Sequence, residues 1–254
     1  MKKMIAILAV AMLLWGASAS ADTLDFLKPF WMQMMDGVSN TASGKIPENV
    51  AVTCADERLT VEACGVLLEN DYSAEAHVYA VLKNTGSERL PIRSVQMTVL
   101  GANGNTLHQE NYVSYMPSVV EPGETMLVSE WMYDFVKEIG KVHSIQISVE
   151  MASRAYEKWK QLGDVRAWLD GDYLCVEFTN TTEKTLFGVI CAATVSDANG
   201  QILDMMMQSP YDTDDLGIAQ GSSIVWKKRL EDAATLKIGT DAVCKAWAYW
   251  MEDL

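Results

Sequence analysis

The chain has 254 residues, with 34 acidic against 20 basic side chains, a formal net charge of −14 and 49% apolar residues. That length allows one or two domains, and the apolar share with a mean hydropathy of +0.03 excludes a disordered chain and a polytopic membrane protein. The acidic excess argues against a nucleic-acid partner, because holding a phosphate backbone requires a basic patch.

Residues 1–21 read as a secretory signal. Lys2 and Lys3 form a basic start, Met4 to Trp15 is an unbroken apolar run, and Ala19-Ser20-Ala21 fits the small-residue cleavage rule. The run is too short to span a bilayer, which takes about 20 residues. The expected mature chain begins at Asp22 and carries 18 basic against 34 acidic residues, a net of −16. No integral membrane segment is expected after cleavage, so the protein is placed outside the cell or in the envelope. Residues 22–47 follow as a short apolar arm holding Leu24, Phe26, Leu27, Phe30, Trp31, Met34 and Met35. It reads as a cap on the fold, with a sticky arm toward a partner or a second copy as the sharper alternative.

The rest of the chain repeats itself. Val78 to Thr85 and Leu174 to Thr181 both alternate apolar and other residues and both end in Asn-Thr, with Asn84 and Asn180 offset by 96. Ala102-Asn103-Gly104 and Ala198-Asn199-Gly200 keep that offset of 96, and Glu121-Pro122-Gly123 meets Ala219-Gln220-Gly221 after a two-residue slip. The period is too long for a solenoid or a propeller blade and matches one immunoglobulin-like sandwich.

Each unit reads as all-β. Val78, Ala80 and Leu82 share one strand face, as do Val95, Met97 and Val99, and Leu174, Val176 and Phe178. Asn103-Gly104 and Asn199-Gly200 are hairpin text, since both residue types accept the positive φ of a tight turn. The expected architecture is two tandem immunoglobulin-like β-sandwich domains at 48–150 and 170–254, joined by a connector at 151–169. That connector carries Tyr156, Trp159 and Trp168 and reads as a docked strand or short helix.

Leu82-Lys83-Asn84-Thr85-Gly86, Asn103-Gly104 and Glu121-Pro122-Gly123-Glu124, with a weaker second set at Asn180-Thr181-Thr182, Asn199-Gly200 and Gly221, resemble the FxLYD-type Ig-like domains of secreted bacterial proteins. The family's aromatic-Leu-Tyr-Asp string is absent, and Trp131-Met132-Tyr133-Asp134 is a loose echo of it. The resemblance implies an extracellular or envelope module without catalysis and carries over no active-site residue.

All five cysteines follow the expected signal, so export would expose them to oxidation. With one thiol left over, five choices of odd residue times three pairings give fifteen schemes. Cys54–Cys64 and Cys191–Cys244 are the favoured pairs, with Cys175 left over; five reduced thiols are the other reading. His77, His108 and His143 are scattered and form no metal-binding spacing. Asp197 before Asn-Gly reads as turn chemistry, and Asp212-Thr213-Asp214-Asp215 as a solvated loop with weak calcium binding as the alternative. Met205-Met206-Met207 would alternate across a strand rather than converge on a metal. Trp226, Trp247, Tyr249 and Trp250 read as core, with a sugar-binding face as the alternative.

No catalytic, cofactor-binding or metal-ligating residue is expected. The sequence points to an exported, non-catalytic binding module with an unknown protein or glycan partner, able to self-associate through residues 22–47 or an edge strand. A structural or assembly subunit, a carbohydrate-binding module and a cell-wall or glycan hydrolase are the alternatives.

Overall fold

The computed structural model describes residues 49–69, 75–133, 139–154, 158–208, 217–230, 238 and 241–252. The expected leader at 1–21, the expected arm at 22–47 and the Asp212–Asp215 run lie outside the described residues. The described chain is all-β. The first half supplies β1 (Ala51–Cys54), β2 (Leu59–Glu69), β3 (Glu75–Asn84), β4 (Leu90–Gly101), β5 (Thr106–Glu110), β6 (Ser114–Met116), β7 (Val119–Val120), β8 (Thr125–Met132) and β9 (Val142–Met151). The second supplies β10 (Trp159–Gln161), β11 (Val165–Asp170), β12 (Tyr173–Thr179), β13 (Ile190–Ser196), β14 (Ile202–Gln208), β15 (Ser223–Arg229) and β16 (Val243–Met251).

These strands form four main sheets. Sheet I has the order β1-β9-β4-β5, with β7 on the start of β4; sheet II is β2-β3-β8-β6. Sheet III is β10-β16-β13-β14 and sheet IV is β11-β12-β15. The expected connector at 151–169 therefore contributes β10 and β11 to sheets III and IV.

Three apolar layers lie between the four sheets. Val78, Ala80 and Leu82 of β3 meet Val95, Met97 and Val99 of β4 and Ile145 and Ile147 of β9 between sheets I and II. Leu174, Val176 and Phe178 of β12 meet Cys191, Ala193, Val195 and Met206 between sheets III and IV. The expected strand faces all turn toward these two cores. A third cluster joins the halves: Tyr79, Val81, Met116 and Leu127 of sheet II pack on Ala192, Ile202, Met205 and Tyr249 of sheet III. Strands β3 and β13 are consequently buried on both faces. This differs from a strand with one solvated face, which the alternation at 78, 80 and 82 taken alone describes.

The paired landmarks perform the same work in both halves. Asn84, fully buried, donates through Nδ2 to the carbonyls of Glu88 (2.8 Å) and Val120 (3.0 Å), and its Oδ1 accepts from the Gly86 amide (3.0 Å). Asn180, also fully buried, donates to Lys184 (2.7 Å) and Ile218 (2.7 Å) and accepts from the Thr182 amide (2.9 Å). The main chain repeats too: Gly123 N donates to Asn84 O and Gly221 N to Asn180 O, each at 2.8 Å. The two hairpin glycines, Gly104 and Gly200, take φ of 74° and 84°. A buried asparagine with all its polar atoms engaged fixes where a strand stops and where the return turn crosses it.

Strand β14 lies across the outer face of sheet II. The closest approach is at Gly65 in edge strand β2, where an added Cβ would fall 1.8 Å from the Ile202 carbonyl oxygen. Glycine is required here for want of space, not for its torsion angles. Gly65→Ala should push β14 off sheet II and lower stability by about 1–3 kcal/mol, the usual cost of overpacking. Urea unfolding of the two proteins measures this; an unchanged midpoint would mean that the two halves do not meet at Gly65.

Candidate functional site

The five cysteines are free thiols, which corrects the expected disulfides. Cys191 stands opposite Ala248, and Cys244 opposite Val195, on the adjacent antiparallel strands β13 and β16. Four rungs separate the two sulfurs, about 13 Å along the strand, well beyond the roughly 7 Å that a disulfide spans between Cα atoms. Cys54 of β1 and Cys64 of β2 sit on different sheets, and both pack against the first core as thiols. Burial raises the pKa of every one of them, and it pushes Cys191 up to about 12. Such thiols carry little thiolate at neutral pH and are poor nucleophiles and metal ligands. Cys175, on the outer face of sheet IV, is fully buried between its cross-strand neighbours Trp168 and Lys227.

The remaining singled-out residues disperse. His143 is exposed on β9 and His108 lies on β5, while His77 packs against Trp131 with ring centroids 3.8 Å apart and planes tilted by 44°. Among the described residues, no three His, Cys, Asp or Glu side chains gather as a metal site. Asp197 accepts from the Asn199 and Gln201 amides at 2.9 Å each, which is turn chemistry as expected. Met206 enters the core between sheets III and IV while Met205 and Met207 enter the layer between the halves, so the methionine run splits across its strand. Trp226 and Trp250 pack on the core of the second half, and Trp247 and Tyr249 on the layer between the halves. They present no common sugar-binding face.

Two tyrosines and an aspartate tie the halves together. Tyr79 of sheet II donates its hydroxyl to Asp204 Oδ1 on β14 (3.5 Å), and Tyr249 of sheet III donates to the Thr125 carbonyl (3.5 Å). Burial drives the Tyr249 phenol pKa well above its ordinary value. Asp204 is buried, accepts from the Met205 amide at 2.7 Å, and has Lys228 Nζ at 3.8 Å.

Where sheet III stops covering sheet II, an aromatic ledge comes to the surface. Leu127, Ser129 and Trp131 alternate along one face of β8. Leu127 is covered by the second half, whereas Trp131 is 37% exposed and Tyr133, just past the strand, is 59% exposed. The Trp131 and Tyr133 rings stack at 5.2 Å with planes 16° apart. His77 backs the indole from β3, and Glu75 Oε2 accepts from Trp131 Nε1 at 3.1 Å. Beside the ledge lies a cleft of about 300 Å³ whose walls come from both halves. Glu130 lines it; burial raises the pKa of its carboxyl, which also accepts from the Ser114 amide at 3.3 Å. The legible signal for this ledge was Trp131-x-Tyr133, two aromatic residues on one face of a period-two strand.

No family model matches the chain, and no curated protein matches it. Among solved structures it has a likeness to red sea bream transglutaminase, with 13% identity, a TM-score of 0.21, and coverage of 69% of this chain and 28% of that one. This chain thus spans under a third of that protein's length, and a likeness so distant carries no argument.

Thiol counting checks the cysteine assignment. Unfolding in urea without reductant, followed by iodoacetamide, should label all five cysteines, and the native protein should leave Cys191 unlabelled. Fewer than five labels on the unfolded chain would show that disulfides form.

Proposed function

We propose that the protein is an exported, non-catalytic binding module of the cell envelope or its surroundings, built from two tandem immunoglobulin-like β-sandwiches related by duplication. The recurrent asparagine clamps and hairpin corners support the duplication. The order and antiparallel pairing of β9-β4-β5 and β16-β13-β14 support it as well, while the first strands differ, β1 running parallel to β9 and β10 antiparallel to β16. The first sandwich takes β1 to β9 and the second β10 to β16. The leader at 1–21, cleaved after Ala21, supplies the export step.

The observation that carries the binding function is the ledge of Trp131 and Tyr133. Large aromatic rings held rigid and left in water are what binding surfaces use, because they bring contact area at small entropic cost. Here the indole is held by the tilted ring of His77 and by Glu75 at its nitrogen. The raised pKa of every thiol and the dispersal of the histidines favour binding over nucleophilic or metal-dependent chemistry.

The test is recovery of envelope components on immobilised mature protein, compared with a Trp131→Ala/Tyr133→Ala double variant of the same thermal stability. The wild type should retain a component that the variant loses. Equal recovery on both would remove the ledge from the binding function.

A further inference from the structure

We infer that Asn103 is a modification site, where the side-chain amide is lost spontaneously to give aspartyl and isoaspartyl residues, and that Asp197 protects the equivalent Asn199 from the same reaction. This goes beyond the binding function and does not depend on it.

The sequence holds two Asn-Gly pairs, and they form the matching hairpin corners of the two halves. Their neighbours are almost identical, Ala102-Asn103-Gly104-Asn105 against Ala198-Asn199-Gly200-Gln201. Intrinsic reactivity is therefore matched, and a difference between them comes from the fold. In the reaction the main-chain nitrogen of the glycine attacks Cγ of the asparagine. A bond forms between that nitrogen and Cγ, the Cγ–Nδ2 bond breaks, and the glycine amide proton leaves with the side-chain nitrogen as ammonia. Water then opens the cyclic imide, at one carbonyl to aspartate and at the other to isoaspartate; nothing is oxidised or reduced. A glycine in the following position favours the attack because no Cβ crowds the nitrogen.

Both asparagines are exposed, so water reaches each of them. The main-chain bonding is the same at both corners. Gly104 N donates to Gly101 O and Gly101 N to Asn105 O, each at 2.9 Å; Gly200 N donates to Asp197 O and Asp197 N to Gln201 O, each at 3.0 Å. The attacking nitrogen must leave its carbonyl in either case, so side chains make the difference. Where the first corner has Gly101, the second has Asp197. Its Oδ1 accepts from the Asn199 and Gln201 amides at 2.9 Å each, and its Oδ2 accepts from Asn199 Nδ2 at 3.4 Å. One carboxylate thus holds the corner closed through charge-assisted bonds and also engages the group that must leave. Its charge further disfavours the deprotonated glycine nitrogen that performs the attack. Among the described residues, nothing hydrogen-bonds to the Asn103 side chain, and Gly101 has no side chain to anchor it.

The experiment incubates the protein in warm, mildly alkaline buffer and follows both corners by peptide mapping with mass spectrometry, which resolves amide from acid. Parallel incubations use the chain unfolded in urea and an Asp197→Ala variant whose folding is checked by thermal unfolding. In the native protein Asn103 should convert about tenfold or more faster than Asn199, the scale set by hydrogen bonds to a charged group. In urea the two should convert at similar rates. Asp197→Ala should bring Asn199 up to the rate of Asn103 and leave Asn103 unchanged. Equal rates in the native protein overturn the inference, as does no conversion of Asn103 while the urea-unfolded chain converts. A gap that survives in urea would place the difference in the sequence, and a slow Asn199 in folded Asp197→Ala would acquit Asp197; either result also overturns it. The native comparison decides the site even if the variant does not fold.

Discussion

The contact between sheets II and III governs this structure. Tyr79, Val81 and Leu127 on one side and Ala192, Met205 and Tyr249 on the other form a buried apolar layer between the two cores that flank it. It forces β3 and β13 to be apolar on both faces, as strands in the middle of a stack must be. It also requires Gly65, because a main-chain carbonyl of β14 occupies the space where a side chain would lie. Tyr79 and Tyr249 each carry a hydroxyl across the contact and find an acceptor there, so the layer has a polar register as well as an apolar one.

The stack ends after four sheets for a reason visible rung by rung. In sheet III, Ala192 pairs with Trp247 and Ile190 with Tyr249 on the buried side. The corresponding rungs of sheet I are Gln96 with Ser148 and Ser94 with Glu150. In sheet II, Val81 pairs with Leu127 and Tyr79 with Ser129. The matching rungs of sheet IV are Glu177 with Val225 and Cys175 with Lys227, and this face carries the ion pairs Arg166–Glu177 and Lys227–Asp170. The pairing of these rungs is the same in both halves, while side chains decide which faces pack on the other half and which carry polar and charged groups. Polar outer layers serve as caps and disfavour further stacking of copies.

Much of this was written in the local sequence, and the exceptions have physical causes. The Asn-Thr and Asn-Gly landmarks located strand ends and hairpins because those residues act through their own main chain and near neighbours. The alternation of Val78, Ala80 and Leu82 located one core face. What period-two reading passed over is that Tyr79 and Val81, on the other face, are apolar too; Val78-Tyr79-Ala80-Val81-Leu82 is a continuous run of the kind that a doubly buried strand requires. The pairing of Cys191 with Cys244 failed because strand membership does not give register: both lie on adjacent strands, yet four rungs apart. Trp131 and Tyr133 come to the surface through what sheet III leaves uncovered, which is a property of the packed halves rather than of either segment.

If the layer between sheets II and III is as cohesive as the cores beside it, the two halves cannot unfold independently. Differential scanning calorimetry of the protein tests this most directly. A single transition, with calorimetric enthalpy equal to the van't Hoff enthalpy, is the expected result. Two separable transitions, each carrying about half of the enthalpy, would show two halves merely tethered and would contradict the account at its centre.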